Sequence, residues 1–173
     1  MSRNIFLVGP MGSGKSAVGR RLARDLDLEF IDSDEEIERR TGVDIAYIFE
    51  KEGEAGFRLR EAEVIADLTG RAGVVLATGG GAVLDPGSRE RLRSRGRVVY
   101  LRTTIEQQLA RTRHNADRPL LNNDDPRGTL VRLMAIRAPL YDEVAWITVD
   151  TDGRKVKTVV DQILHALDGP GGA

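Results

Sequence analysis

The glycine-rich stretch GPMGSGKS at residues 9–16 constrains the fold of this chain more than any other feature. It follows the apolar run NIFLVG (4–9) and precedes the helical pattern AVGRRLARDL (17–26). This order matches the phosphate-binding motif G-x-x-x-x-G-K-[ST], in which a strand leads through glycines into the start of a helix. Backbone N–H groups and the positive end of the helix dipole can then bind phosphate oxygens. The motif therefore predicts a site for a nucleoside triphosphate.

Within the motif, Lys15 is expected to reach the β- and γ-phosphates, and the hydroxyl of Ser16 is expected to ligate Mg²⁺. The residues predicted to bind the nucleotide here are Gly12, Ser13, Gly14, Lys15, Ser16 and Ala17. The alternative is a glycine-rich turn that binds nothing. Switches, helicases, transporters and small-molecule kinases share such a loop, so the remaining sequence must identify the phosphate acceptor.

Four further short runs alternate with longer helical patterns: LEFID (28–32), VVLAT (74–78), RVVYL (97–101) and WITVD (146–150). This alternation predicts βαβ units and an α/β fold built on a parallel sheet. The 173 residues fit one domain. We expect that domain to span residues 1–168, with a mobile lid at about 111–125 and a disordered tail at 169–173.

Composition argues against several classes of function. The chain has no cysteine, and its 26 basic and 27 acidic residues give a net charge of −1. A nucleic-acid-binding domain normally carries a basic excess. No apolar run approaches the roughly 20 residues of a membrane helix, and the first residues do not resemble a signal peptide. We therefore expect a cytoplasmic protein that binds neither nucleic acid nor membrane.

Two carboxylates lie together in FIDSD (30–34). With a strand period of two, Asp32 and Asp34 are predicted to project to the same side, at the sheet edge where the phosphate loop also opens. One could hold hydrated Mg²⁺, and the other could accept or orient a hydroxyl proton. The alternative is that Asp34 or Ser33 caps the following helical pattern EEIERRTG (35–42).

Glu61 interrupts the apolar face of a predicted helix over residues 54–70. A buried carboxylate needs a charged or hydrogen-bonding partner, and Arg58 lies three residues earlier. A surface ion pair is the alternative interpretation. The apolar residues that share this face are Phe57, Val64, Ile65 and Leu68.

Arg137 also falls on an apolar helical face, with Leu130, Leu133 and Met134, and Pro139 is expected to disturb the helix just beyond it. An arginine there could extend to solvent along its apolar neighbours. Together with Arg58 and Glu61, however, it predicts a small cationic pocket for a carboxylate or phosphate. Arg118, in DRPLL (117–121), is either a solvated loop arginine or a mobile one that stabilises charge during phosphoryl transfer.

The glycines of TGGGAV (78–83) leave the backbone bare where the chain emerges from a predicted strand. With GPMGSGKS, FIDSD, RRTGVDIAYIFEKEGEAGFRLRE (39–61), DRPLL and RAPLY (137–141), this segment forms an ordered set that resembles shikimate kinases. The resemblance runs from the first strand to about Leu167. It implies a five-stranded parallel sheet flanked by helices in three layers, as in nucleoside monophosphate kinases. It also implies a monomer that transfers the γ-phosphoryl of ATP to the 3-hydroxyl of shikimate, with Mg²⁺.

The resemblance also implies roles for single residues. Lys15, Asp34 and Arg118 would be catalytic, and Ser16 with Asp32 would hold the metal. The substrate would be bound by a helical segment at about 34–61 and by the residues Asp34, Arg58, Glu61, Gly79, Gly80, Gly81 and Arg137. In that set the two arginines would grip the carboxylate, Glu61 would orient Arg58, and the glycines would present N–H groups, chiefly from Gly80. Arg111 would stack on adenine, with Arg118 and Arg154 also contacting ATP.

One segment departs from the family pattern. TDGRKVK (151–157) has Val156 where these kinases often have a proline in the adenine wall. The competing interpretations are another small-metabolite kinase, with an acceptor such as gluconate, and an ATP-dependent switch without transfer activity.

Overall fold

The structure, a computed structural model, describes residues 3–113 and 119–169. Arg118 and residues 170–173 lie outside the described residues, as do residues 114–118 of the predicted lid and most of the predicted tail.

Five strands form one parallel sheet in the order β2-β3-β1-β4-β5. They are β1 (Ile5–Val8), β2 (Glu29–Asp32), β3 (Val74–Ala77), β4 (Arg97–Arg102) and β5 (Ile147–Asp150). The helices are α1 (Lys15–Leu26), α2 (Ser33–Thr41), α3 (Ile45–Leu68), α4 (Pro86–Arg95), α5 (Ile105–Thr112), α6 (Pro126–Val144) and α7 (Val156–Asp168). Within the described residues, 3₁₀ turns lie at Ala82–Leu84 and Pro119–Leu121. The predicted α/β class, with a five-stranded parallel sheet flanked by helices, is confirmed.

Alternation along β1 divides the core into two layers. Phe6 and Val8 pack with buried residues of α2, α3, α4 and α6, whereas Ile5 and Leu7 pack with buried residues of α1 and α7. Successive side chains of a strand point to opposite faces, so a fully apolar strand such as β1 must be covered on both sides. Because β1 lies between β3 and β4, the loops that follow β1 and β3 meet at one edge of the sheet.

The prediction for Asp32 and Asp34 is wrong in its geometry. Asp32 ends β2, and its Oδ1 accepts hydrogen bonds from the backbone N–H groups of Asp34 (2.9 Å) and Glu35 (3.2 Å). Asp32 is therefore the N-cap of α2, and Asp34 lies in the first helical turn and not on an extended strand. The alternative that Ser33 or Asp34 caps this helix is wrong for the same reason.

Two helices differ from simple expectations. The predicted helix is confirmed from Glu54 to Leu68, but α3 begins earlier, at Ile45, and contains a kink at Gly53 (φ 71°, ψ −178°). Helix α6 continues through Pro139 to Val144, although the sequence predicted a disturbance there. The buried side chains of Tyr141 and Val144 anchor this last turn to the core despite the missing proline N–H.

Across residues 3–113 and 119–169, the structure contains no helix with the length and apolar character needed to span a membrane.

Candidate active site

The loop between β1 and α1 has the geometry of an anion site. Gly14 has φ of 91° and precedes the first residue of α1, and no side chain caps this helix end in the described structure. Its first turn also carries no acidic residue, so the helix dipole and N–H groups stay available for a negative ligand. The Nζ of Lys15 donates to the carbonyl oxygens of Gly9 (2.7 Å) and Pro10 (2.9 Å). The side chain of Lys15 therefore crosses the loop that is predicted to bind phosphate.

The remaining residues of the motif differ in their exposure to solvent. Ser13 is fully buried, Gly12 is half-buried, and Ala17 is exposed on the first turn of α1. Residues 12–17 run continuously from the loop after β1 into the first turn of α1.

Ser16 and Asp32 meet at the carboxyl ends of β1 and β2. The Ser16 hydroxyl donates to Asp32 Oδ2 at 2.7 Å. A hydroxyl and a carboxylate are suitable ligands for Mg²⁺ or its bound water. No cluster of three or more His, Cys, Asp or Glu side chains in the described ranges could hold a metal ion. The donor set therefore fits an ion that is held mainly by phosphates and water.

A pocket that is partly open to solvent lies beside the phosphate loop. It brings together the predicted substrate residues from α2, α3, α6 and the turn after β3. Apolar side chains from α3 and from the 3₁₀ turn at Pro119–Leu121 complete it. The lining residues are Met11, Asp34, Ile45, Phe49, Phe57, Arg58, Glu61, Gly79, Gly80, Gly81, Pro119, Leu120 and Arg137.

Glu61 and Arg58 form a buried ion pair in this pocket. Arg58 Nη1 donates to Glu61 Oε1 at 2.8 Å, and the Glu61 side chain is only 4% exposed. Burial raises the pKa of Glu61, and the neighbouring Arg58 charge opposes that rise. The inward orientation predicted for Glu61 is confirmed, and the alternative of a surface pair is wrong.

Arg137 enters the pocket from α6 and is 3% exposed. Burial lowers its pKa, although a guanidinium starts from so high a value that it stays charged. Its Nη2 is buried and has no hydrogen-bond partner among the residues that the structure describes. A buried donor without a partner is costly, so Arg137 is suited to an anionic group placed in the pocket.

Two of the three glycines after β3, Gly79 and Gly81, leave room for side chains of the pocket. A Cβ on Gly79 would lie 2.7 Å from Asp34 Oδ1 and 2.9 Å from Glu61 Oε2, and a Cβ on Gly81 would overlap the Arg58 guanidinium. The Gly79 N–H donates to Ser33 Oγ (3.0 Å) and is therefore already used within the protein. The absent side chains leave space for the carboxylates and the arginine that line the pocket.

Arg111 and Arg154, which were predicted to contact the adenine base, lie in different surroundings. Arg111 Nη1 donates to the carbonyl oxygen of Gly12 at 2.8 Å, so this residue lies against the phosphate loop. Arg154 Nη1 donates to Gln162 Oε1 at 2.8 Å, a contact with α7. Val156 begins α7 and is exposed. Arg118, the predicted lid arginine, is not among the described residues.

Sequence reasoning missed the apolar part of the pocket. Ile45 and Phe49 come from the first part of α3, and Pro119 and Leu120 come from the far side of the predicted lid. Their short apolar patterns resemble ordinary core residues, and only the tertiary fold brings them to the site.

A phosphate loop next to a pocket of paired arginines and carboxylates, on a five-stranded parallel sheet, defines a small-molecule kinase of the P-loop fold. The model of the family "Shikimate kinase" matches residues 11–168. The chain belongs to the shikimate kinase family.

Individual relatives agree with this assignment. A shikimate kinase from Shewanella sp. (strain ANA-3) is 59% identical over 165 residues, which cover 95% of this chain and 96% of the relative. The structure of shikimate kinase from Acinetobacter baumannii in complex with shikimate is 51% identical, with a TM-score of 0.94 over 96% of this chain and 93% of that one. The Aquifex aeolicus shikimate kinase is 38% identical, with a TM-score of 0.84 over 98% and 99% of the two chains.

Proposed function

We propose that this chain transfers the γ-phosphoryl group of ATP to the 3-hydroxyl of shikimate, which yields ADP and shikimate 3-phosphate on the route to chorismate. The observation that carries the proposal is the placement of Arg58, Arg137 and Asp34 in one pocket beside the phosphate loop. Shikimate carries a carboxylate and ring hydroxyls. Two arginines fit its carboxylate, and an aspartate fits a hydroxyl. The related Acinetobacter enzyme was solved with shikimate bound.

The phosphate loop binds the ATP phosphates through its N–H groups and the start of α1. Lys15 exchanges its contacts with the Gly9 and Pro10 carbonyls for the β- and γ-phosphates. Ser16 and Asp32, whose side chains are hydrogen-bonded to each other, would hold Mg²⁺. When bound, Mg²⁺ neutralises charge on the phosphate oxygens.

Asp34 orients the acceptor hydroxyl and takes its proton. The hydroxyl oxygen forms a bond to the γ-phosphorus, and the bond between that phosphorus and the β–γ bridging oxygen breaks, which leaves ADP. Glu61 holds Arg58 toward the carboxylate of the acceptor, and Gly80 lies beside Arg137. Positioning and charge stabilisation account for most of the rate in this kind of transfer.

Further assignments belong to the same proposal. The segment at about 34–61 binds the acceptor, and the segment at about 111–125 closes over the nucleotide with Arg118 on the transferred group. Arg111 stacks on adenine, and Arg154 lines the base. The protein acts as a monomer in the cytoplasm, where ATP is available.

Phosphorus NMR of the reaction tests this proposal. Incubation with ATP, Mg²⁺ and shikimate should produce ADP and one phosphomonoester, whose phosphorus couples to the proton on ring carbon 3. Excess EDTA should stop the reaction. A phosphate on another hydroxyl, or ADP and free phosphate with unchanged shikimate, would contradict the proposal.

A further inference from the structure

Tyr141 is a fully buried polar residue that the proposed mechanism does not use. It lies on α6 and is 0% exposed, and its ring packs against Tyr100 with ring centroids 5.0 Å apart. Burial raises the pKa of its hydroxyl, so this group keeps its proton and remains a donor across the neutral range. It does not line the acceptor pocket.

The Tyr141 hydroxyl donates to the carbonyl oxygen of Gly80 at 2.5 Å. In the same turn, the carbonyl oxygens of Gly79 and Gly81 accept from the N–H groups of Ala82 (3.1 Å) and Leu84 (3.0 Å). Gly80 is therefore the glycine of this turn whose carbonyl bonds to a side chain from another element. A buried carbonyl needs a partner, and α6 supplies it.

Arg137 and Tyr141 are four residues apart on α6 and lie on the same face. The Arg137 guanidinium lies over the α-carbon of Gly80, because a Cβ built there would be 3.4 Å from Nη1. One face of α6 thus contacts Gly80 twice, by a hydrogen bond from Tyr141 and by the approach of Arg137. The distance between the guanidinium and the glycine turn depends on how closely α6 is held there.

We propose that Tyr141 is a positioning residue for the acceptor: its bond to Gly80 fixes the spacing between Arg137 and the glycine turn, and so determines the affinity for the carboxylate of the substrate. This inference rests on the proposed function. The spacing matters because a displacement of about 1 Å in a binding group can cost about a hundredfold in rate. The Tyr141 hydroxyl bonds to Gly80 and acts on the phosphate loop only through this turn, so the affinity for ATP should change much less than the affinity for shikimate.

The first test is the variant Tyr141→Phe, which removes only the hydroxyl. We expect the KM for shikimate, and its Kd from calorimetric titration, to rise about tenfold, with the KM for ATP within about twofold of wild type. Tyr100→Phe is the matched control, because it removes a hydroxyl from the ring partner in the same core and leaves the Gly80 bond intact. It should leave both KM values within about twofold.

A second variant, Gly80→Ala, tests the spacing from the other side and does not alter Tyr141. Its Cβ would lie 3.4 Å from Arg137 Nη1 and 3.5 Å from the Met11 nitrogen, so the protein should fold, with a small displacement of the guanidinium. We expect the KM for shikimate to rise more than the KM for ATP, because the guanidinium is displaced while the phosphate loop is only touched by the methyl group.

The outcomes separate the two proposals. If wild type shows no turnover that depends on shikimate, the proposed function fails. If wild type is active but Tyr141→Phe matches Tyr100→Phe, the inference on Tyr141 is overturned and the function stands. Should Tyr141→Phe fail to fold, an unchanged shikimate KM in Gly80→Ala would overturn the inference, and a raised one would support it.

Discussion

The carboxylate of Glu61 holds Arg58 in the acceptor pocket from a nearly solvent-free position. Replacement by glutamine keeps a hydrogen-bond acceptor but removes the charge that aligns the guanidinium. Loss of a buried partner leaves the Arg58 charge less compensated, so the free energy of unfolding should fall by up to about 3 kcal/mol, moderated by the second ion pair of Arg58 with Glu54. For Glu61→Gln we expect a rise of about tenfold in the shikimate KM, measured by steady-state kinetics.

Glu63→Gln is the control for this change, because Glu63 is exposed on the same helix. It should leave both the KM and the thermal midpoint Tm close to wild type. Equal KM values in the two variants would show that Glu61 does not position Arg58.

Gly81 is a second residue in the acceptor pocket at which the addition of one methyl group should affect substrate binding. An added Cβ would occupy the space of the Arg58 guanidinium, which is the far end of a flexible side chain and can move. Gly81→Ala should therefore fold with nearly normal stability, but its shikimate KM should increase by an order of magnitude or more, with the ATP KM unchanged. If Gly81→Ala bound shikimate as tightly as wild type, the role of Arg58 in binding the substrate would be contradicted.

At the scale of single elements, the kink in α3 depends on Gly53. Its φ of 71° and ψ of −178° lie in a region that essentially only glycine occupies. Gly53→Ala should cost about 1–3 kcal/mol and lower Tm by roughly 3–9 °C. Calorimetry measures the loss, and kinetics should show a raised shikimate KM, because the kink positions Phe49 relative to Arg58.

Ala55→Gly provides the comparison within α3. Ala55 is exposed, and the substitution costs about 1 kcal/mol of helix propensity without a change in the kink. If Gly53→Ala were no less stable than Ala55→Gly, the kink would not be a strained feature that requires glycine.

Helix α2 contains an ion-pair network that should give the fold a measurable pH dependence. Hydrogen bonds from Arg39, together with those from Arg40, lower the pKa of Glu36 from 4.5 to about 2. A carboxyl group with a lowered pKa in the folded state stabilises the protein above its unfolded pKa, and the contribution disappears as the pH falls through the folded value. Its stabilising effect should therefore be complete at pH 6–7 and vanish near pH 2.

Glu36→Gln tests this directly. At pH 7 the variant should be less stable by about 1 kcal/mol, or about 2–4 °C in Tm, because solvent screens the exposed arginines. The difference from wild type should shrink between pH 4.5 and pH 2. A difference that is independent of pH would exclude the ion pairs as its cause. Glu35→Gln on the same helix is the control, since its partner Arg20 is largely exposed.

At the scale of the whole molecule, the sheet order explains why the two halves of the site meet. The phosphate loop follows β1, the glycine turn follows β3, and these strands are neighbours. The acceptor residues reach this edge from α2, α3 and α6. The chemistry therefore depends on contacts between residues from different elements, such as Arg58 with Gly81, 23 residues apart, and Arg137 with Gly80, 57 residues apart.

Local patterns were sufficient to predict the strands, the phosphate loop and the inward Glu61, because each depends on periodicity or on a motif of adjacent residues. They did not locate the start of α2, since a polar residue at a strand end looks the same whether it extends the strand or caps a helix. They also failed to predict that α6 would continue past Pro139, which depends on the packing of Tyr141. The reason for Gly79 and Gly81 required the positions of Asp34, Glu61 and Arg58 in three dimensions.

The central claim is that this site transfers a phosphoryl group from ATP to an acceptor that carries a carboxylate. Release of ADP by the wild-type protein tests this claim most directly. Parallel reactions with ATP and Mg²⁺ should contain shikimate, gluconate, a nucleoside monophosphate or no acceptor. We expect ADP release that requires shikimate and remains at background with the others. Release at the same rate without shikimate, or preferentially with gluconate, would contradict the assignment of the acceptor pocket.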